Sequence, residues 1–176
     1  MKIFAIYSVV KTDSKSSVLE MFRKKYDEPY ELHVTFKQPV QIDEEKVDEL
    51  KQIFSRLDTP KSRVNIIFNK IRGDEKVLML DAEENYILMD LQKGILELLS
   101  QYNSYVDADT EQYEVDFKPH ITVARDIDER SIPLVKQQLE KILPVRAFID
   151  SITLAVVDHI SPEESLNPNN LTENRF

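Results

Sequence analysis

The chain has 176 residues, 41% hydrophobic and 31% charged, with a formal net charge of −9, the balance of one globular domain rather than of a disordered or membrane-spanning chain. It contains no Cys, which excludes disulfides, thiolate metal sites and cysteine nucleophiles, and its two glycines, Gly73 and Gly94, argue against a glycine-rich phosphate loop. The acidic balance disfavours a nonspecific grip on long nucleic acid, which rests on Lys and Arg neutralising many phosphates, whereas a small anion needs only a local positive patch.

Taken in order, residues 3–10 are β-branched and aromatic and predict a buried first strand rather than a leader peptide. Val18, Leu19, Phe22 and Tyr26 recur at helical spacing, and Pro29 ends that helix at or before Glu28. Leu32 to Lys37 predicts a strand stopped by Pro39. Asp43, Glu44 and Glu45 place acids at the positive end of a helix with the stripe Val47, Leu50, Phe54 and Leu57, closed by Pro60. Val64 to Ile71 and Lys76 to Asp81 predict a hairpin around Arg72-Gly73-Asp74-Glu75. Glu84 to about Tyr102 predicts the longest helix, buried through Leu88, Leu91, Ile95, Leu98 and Leu99.

Residues 103–117 read as a polar, irregular connection of a length that points to a role such as covering a site. Pro119 opens a second strand, with Ser131 as N-cap, Pro133 in the first turn and Val135, Leu139 and Ile142 on the stripe of the next helix, which Pro144 stops. Val145 to Ile149 and Ile152 to Val157 are expected to pair. Residues 1–160 form one predicted domain, and the polar tail 161–176 is expected to lie loosely on the surface. No apolar run reaches membrane-spanning length, and cytoplasmic residence is the default.

Two short stretches carry the chemistry, His33-Val34-Thr35-Phe36 and His120-Ile121-Thr122-Val123. In a strand alternate side chains share a face, so each His points the same way as its Thr. With three His and seven Thr in the chain, shuffling gives about 0.12 His-x-Thr matches, so two are unlikely to be accidental. Each motif strand follows a helix and precedes a helix and two strands. The chain therefore reads as two copies of one α, β-motif, α, β, β unit with the first strand extra. A pseudo-twofold relation would set two imidazoles and two hydroxyls across one groove.

These motifs, together with the phrase Phe117-Lys118-Pro119-His120-Ile121-Thr122-Val123-Ala124-Arg125, resemble the two-histidine (2H) phosphoesterase superfamily, which includes the 2′-5′ RNA ligases and cyclic phosphodiesterases. The resemblance covers about residues 1 to 158. It implies a duplicated, two-lobed α+β fold, with two antiparallel-rich sheets around a central cleft and helices outside. It also implies metal-independent opening of cyclic phosphates, or cleavage or ligation of 2′,5′ linkages, at a nucleotide or short RNA end. A monomer is expected, with no cofactor, no metal and no membrane partner. The alternatives are a non-catalytic module that recognises a nucleotide or RNA end in the same cleft, or RNA ligation in the reverse direction.

His33 and His120 fit an acid and base couple, because imidazole titrates near neutrality, and Thr35 and Thr122 fit donors to nonbridging phosphate oxygens. Which His is acid is not readable from two near-equivalent repeats. Lys37 shares strand parity with His33 and is a candidate phosphate ligand or a solvated strand end. Lys118 shares parity with His120, and Tyr7 is a candidate base-stacking residue. Arg125 has the opposite parity and reaches substrate only if the strand bulges or ends. His159 reads as a surface residue. Lys61, Arg63, Lys70 and Arg72 form a positive stretch that reads either as a substrate patch or as a protected sheet edge. The acids at 43–45 and 126–130 suit helix starts better than a metal site.

Overall fold

The computed structural model describes residues 1–12, 16–26, 29–73 and 77–176, with the side chains of 16–18 outside the description. The expected turn at Asp74 and Glu75 and the start of its second strand at Lys76 lie outside the described residues. The strands are β1 (Lys2–Val9), β2 (Lys11–Thr12), β3 (His33–Ile42), β4 (Val64–Gly73), β5 (Val77–Ala82), β6 (His120–Arg125), β7 (Val145–Ile149), β8 (Ser151–Val157) and β9 (Leu171–Arg175). The helices are α1 (Ser16–Lys25), α2 (Val47–Phe54), α3 (Tyr86–Leu98), α4 (Glu111–Val115), α5 (Ile132–Glu140) and α6 (Pro162–Ser165). None of the described helices is long and apolar enough to cross a membrane.

The α+β architecture is two antiparallel sheets, one in the order β3-β1-β8-β9 and the other β2-β7-β4-β5-β6. In β1, Phe4, Ile6 and Ser8 are buried while Ile3, Ala5 and Tyr7 face the other way, the period of two that a pleated strand imposes. One continuous interior joins both sheets, with Phe4, Phe36, Phe54 and Phe68 fully buried in it. Both motif strands are edges of their sheets, β3 of the first and β6 of the second, and the two edges come together. Beside that meeting, residues of β1, β3 and β8 line a groove to which β6 contributes Arg125.

Several expectations are corrected by the pairing. The last two strands do not pair with each other: β7 lies between β2 and β4, while β8 crosses to the first sheet and lies between β1 and β9. Likewise β4 pairs with β7 from Val64 to Phe68 and with β5 from Phe68 to Gly73, so its Lys70 and Arg72 end has a strand partner on the β5 side alone among the described residues. β3 also runs on through Pro39 to Ile42. An edge strand tolerates proline because one row of its amides needs no sheet partner, and here the Pro39 carbonyl accepts from the Val106 amide at 3.0 Å. Gly73 ends β4 at φ 118, where a Cβ would overlap the Val77 carbonyl oxygen.

The connection 103–117 is more ordered than its composition implies. Tyr105 bridges Val40, the Gln41 amide donates to the Ser104 carbonyl at 2.8 Å, and the segment then forms α4. It therefore closes the open edge of β3, which would otherwise expose unpaired backbone.

The tail is a structural element too, contrary to the loose surface segment expected from its polarity. Ser161 caps α6, accepting from the Glu164 amide, and β9 pairs with β8 from Ser151↔Arg175 to Ala155↔Leu171. Asn174 donates to the Phe54 carbonyl at 3.0 Å and Phe176 packs against the core. Backbone pairing, not an apolar pattern, recruits this strand, so hydropathy carries little sign of it. Truncation after Asn170 is expected to cost about 2–3 kcal/mol, read as a Tm lower by roughly 5–10 °C in calorimetry; an unchanged Tm would show β9 to be dispensable.

Candidate functional site

A one-residue bulge follows each motif. On β3, Tyr7 pairs with Thr35 but Ile6 pairs with Lys37, leaving Phe36 as the extra residue. On β6, Met79 pairs with Thr122 but Leu78 pairs with Ala124, leaving Val123 as the extra residue. Each bulge puts two consecutive residues on the buried side, Phe36 with Lys37 and Val123 with Ala124. Parity flips beyond that point. His33 and Thr35 thus face the groove, but Lys37 does not, contrary to its sequence parity. Gln38 and Arg125, five residues past the respective histidines, turn toward the groove instead, and both line it beside His33 and Thr35. The bulge that Arg125 required is present.

The two histidines are held alike. His33 Nδ1 lies 2.7 Å from the Glu31 carbonyl oxygen, and His120 Nδ1 lies 2.8 Å from the Lys118 carbonyl oxygen, in each case two residues upstream. A carbonyl only accepts, so Nδ1 carries the hydrogen and donates it. In both rings Nε2 is then the nitrogen that carries the lone pair when the imidazole is neutral. Thr35 and Thr122 are half-buried on the faces of their histidines. Tyr7 stands edge-on to His33 at 5.5 Å between ring centroids, and Tyr30 does so at 6.3 Å. Burial pushes the Tyr7 phenol pKa up, so its hydroxyl stays neutral.

The strands that carry the two rings lie against each other, and His33 is among the charges that bear on His120. Desolvation is the main influence lowering the His120 pKa below its ordinary value near 6.5. The backbone bond to Lys118 and the carboxylate of Asp81 oppose that shift, while the charges of Arg72 and His33 add to it. Asp81 pairs in register with His120 and is itself buried. Its charge is tolerated because Arg72 Nε donates to both of its oxygens at 2.9 Å. Sequence reasoning placed Arg72 in a positive stretch and at the start of a turn, whereas it lies within β4, and it missed a role for Asp81. The available signal was an acid ending the apolar run Leu78-Met79-Leu80.

Lys37 is spent on structure. Its Nζ donates to Glu114 Oε2 and to the Tyr105 hydroxyl, both at 2.9 Å, and Tyr105 donates to the same Glu114 oxygen at 2.7 Å. The other Glu114 oxygen accepts from the Gln38 amide at 2.6 Å. Both charged side chains are at most 4% exposed. Burial and the Glu114 carboxylate push the Tyr105 phenol pKa up. Lys118 has an exposed side chain on a separate surface groove with Tyr86 and Lys93, while its carbonyl orients His120. His159 is exposed and lies 3.1 Å from Glu164 in the tail. Among the described residues no three His, Cys, Asp or Glu side chains are grouped to hold a metal ion.

The profile of the 2′-5′ RNA ligase superfamily matches residues 13–160. The chain belongs to that superfamily, the 2H phosphoesterases that its paired motifs resemble. The same fold occurs in E. coli LigT solved with 3′-AMP, at 14% identity and a TM-score of 0.59 over 100% of this chain and 96% of LigT. A further solved phosphoesterase superposes with a TM-score of 0.60 at 14% identity, over 100% of this chain and 96% of that one. Kluyveromyces marxianus Usb1 with uridine monophosphate gives 0.53 at 10% identity, over 99% of this chain and 98% of Usb1. No curated protein matches the sequence.

Two outcomes are expected from this geometry. Replacing His33 by Asn or Arg72 by Met removes a charge that disfavours the imidazolium, so the His120 pKa rises in either variant. An NMR titration of the ring nitrogens reads the shift, and no movement in His33→Asn would place the two rings apart. Glu114→Gln leaves the Lys37 ammonium buried without its counter-charge and is expected to cost about 3–5 kcal/mol in urea unfolding. Lys37→Met combined with Glu114→Gln should recover much of that loss.

Proposed function

We propose that the protein is a metal-independent phosphodiesterase that acts on a cyclic phosphate or 2′,5′ linkage of a nucleotide or RNA end. The observation that carries this reading is the matched pair of imidazoles, each anchored through Nδ1 to the carbonyl two residues upstream, on two strand edges that come together. Membership of the superfamily supports it, as does the presence of nucleotides on similar folds, 3′-AMP on LigT and uridine monophosphate on Usb1.

In the hydrolytic direction His120 is the base. Its depressed pKa keeps it neutral at physiological pH, so Nε2 has a lone pair for the proton of water. The water oxygen bonds to phosphorus as one ester oxygen leaves, and that oxygen takes a proton from Nε2 of His33. Thr35 and Thr122 hydrogen-bond the nonbridging oxygens, where charge is held in the transition state, and Arg125 adds positive charge from β6. No step needs a metal.

The test is a panel of 2′,3′-cyclic mononucleotides, 2′,5′-linked dinucleotides and RNA ends, assayed with wild type, His33→Asn and His120→Asn. Each substitution is expected to lower kcat by about 10²–10⁴-fold with folding preserved, and wild-type activity should persist in EDTA. Activity unaffected by both substitutions would falsify the couple. The rate should follow a bell in pH. Because the His120 pKa is lowered, its acid limb should fall below 6.5, and a limb at or above that value would remove His120 as the base.

A further inference from the structure

The register of the second sheet sets two rows of side chains on the face of its motif. Residues directly opposite each other in an antiparallel pair share a face. His120 pairs with Asp81, which pairs with Lys70, and Thr122 pairs with Met79, which pairs with Arg72. The alternate residues Leu78, Leu80 and Ile121 are fully buried in the core, so both rows lie on the side away from it. From β6 to β4 is two strand spacings, about 10 Å. The positive stretch noted in the sequence therefore divides. Lys70 and Arg72 share the face of His120 and Thr122, whereas Lys61 precedes β4 and Arg63 sits over the Phe148 ring at 5.1 Å.

The charges in these rows do not cancel. Asp81 is the single acid of the six residues, and Arg72 Nε holds both of its oxygens at 2.9 Å, so the carboxylate opposite Lys70 already has a partner. Lys70 is exposed, and the acid that follows β5, Glu83, accepts from the Asn69 side-chain amide at 2.8 Å. Lys70 and Arg72 against Asp81 leave one positive charge in excess. That matches the single negative charge of a phosphodiester better than the near-double charge of a terminal phosphate. The cations are also held in place: β5 pairs with β4 as far as Gly73, and Lys136 Nζ donates to the Gly73 carbonyl at 3.0 Å. The neighbours Asn69 and Glu83 add no further cation. The excess therefore serves one phosphate and not a long strand, in keeping with the net charge of −9.

We propose that Lys70 and Arg72 form a subsite for the phosphodiester next to the reacting one, so that the preferred substrate is a short RNA end of at least two nucleotides and not a mononucleotide. The assignment rests on the proposed function for the reacting phosphate, and adds the demand for a second charge on the β4 side. Lys70 donates to the nonbridging oxygens of that neighbouring diester, and Arg72 adds its charge while it stays bound to Asp81. The substrate then lies across the second sheet from β6 to β4.

The experiment compares two forms of adenylyl-adenosine that end in a 2′,3′-cyclic phosphate, one with the natural internal phosphodiester and one with an uncharged methylphosphonate in its place. Wild type, Lys70→Gln and Lys70→Glu are assayed at low salt, with Lys93→Gln on α3 as an exposed lysine elsewhere. Arg72 is left intact, because its loss would strand the buried Asp81. Lys70 is exposed, and circular dichroism and Tm verify folding of each variant. Wild type is expected to favour the charged linkage in kcat/KM by about tenfold or more. The ratio should approach one in Lys70→Gln, drop below one in Lys70→Glu and keep its wild-type value in Lys93→Gln. A wild-type ratio near one, a preference that survives in both Lys70 variants, or an equal fall in Lys93→Gln overturns the subsite. If wild type turns over neither compound, the phosphodiesterase reading fails, and calorimetry with adenylyl-adenosine 3′-phosphate and its methylphosphonate analogue decides the subsite. Tighter binding of the charged compound that is lost in Lys70→Gln supports it, and binding that is absent or equal for the two compounds rejects it.

Discussion

The groove depends on a local break in two strands. A regular strand carrying His-x-Thr would send every second residue outward and could not close its core directly beneath the site. The extra residues Phe36 and Val123 change that by burying two neighbours in succession. Histidine and threonine stay on the face away from the core while the backbone bends and its next side chain is withdrawn. On β6 the withdrawn residue is Ala124, which packs without further demand. On β3 it is Lys37, a charge in an apolar interior.

That buried charge accounts for the shape of the surrounding chain. Lys37 needs a counter-ion, and the connection between α3 and β6 brings it Glu114 with Tyr105 alongside. A pair this deep adds little net stability compared with an apolar substitute, but either charge alone is costly. Its consequence is positional. Glu114 grips both the Lys37 ammonium and the Gln38 amide just after the first motif, and lies six residues before His120 of the second. The link that seals the edge of β3 is also the link that delivers β6.

The protein is acidic overall, yet the motif region collects Arg72, Arg125 and two imidazoles. Arg72 does two things at His120. It pairs with Asp81, whose carboxylate favours the imidazolium, and its own positive charge disfavours that form. Desolvation acts in the same direction and is larger. A neutral imidazole next to cations is suited to receiving a proton while an anion is held nearby. Net charge of −9 limits nonspecific attraction of nucleic acid without preventing this local focus.

The sequence by itself determined the two His-x-Thr strands, the helical stripes around Leu50, Leu88 and Val135, and the α+β class, because hydrophobic period, proline positions and residue type are local properties of the chain. It also placed Tyr7 and Arg125 among the residues to watch. Tertiary structure decided the rest. Which strands pair depends on backbone hydrogen bonds, which are common to all sequences, so β8 could cross to the first sheet and a polar tail could become β9 without a hydropathic sign. Bulges are settled by packing across a sheet, so side-chain parity beyond Thr35 and Thr122 could not be counted from the chain, and Lys37 and Gln38 exchanged the faces that simple alternation assigns. Asp81 and Glu114 acquired their partners only when strands and a connection far apart in sequence closed on the same interior, where an unpaired charge is too costly to leave alone.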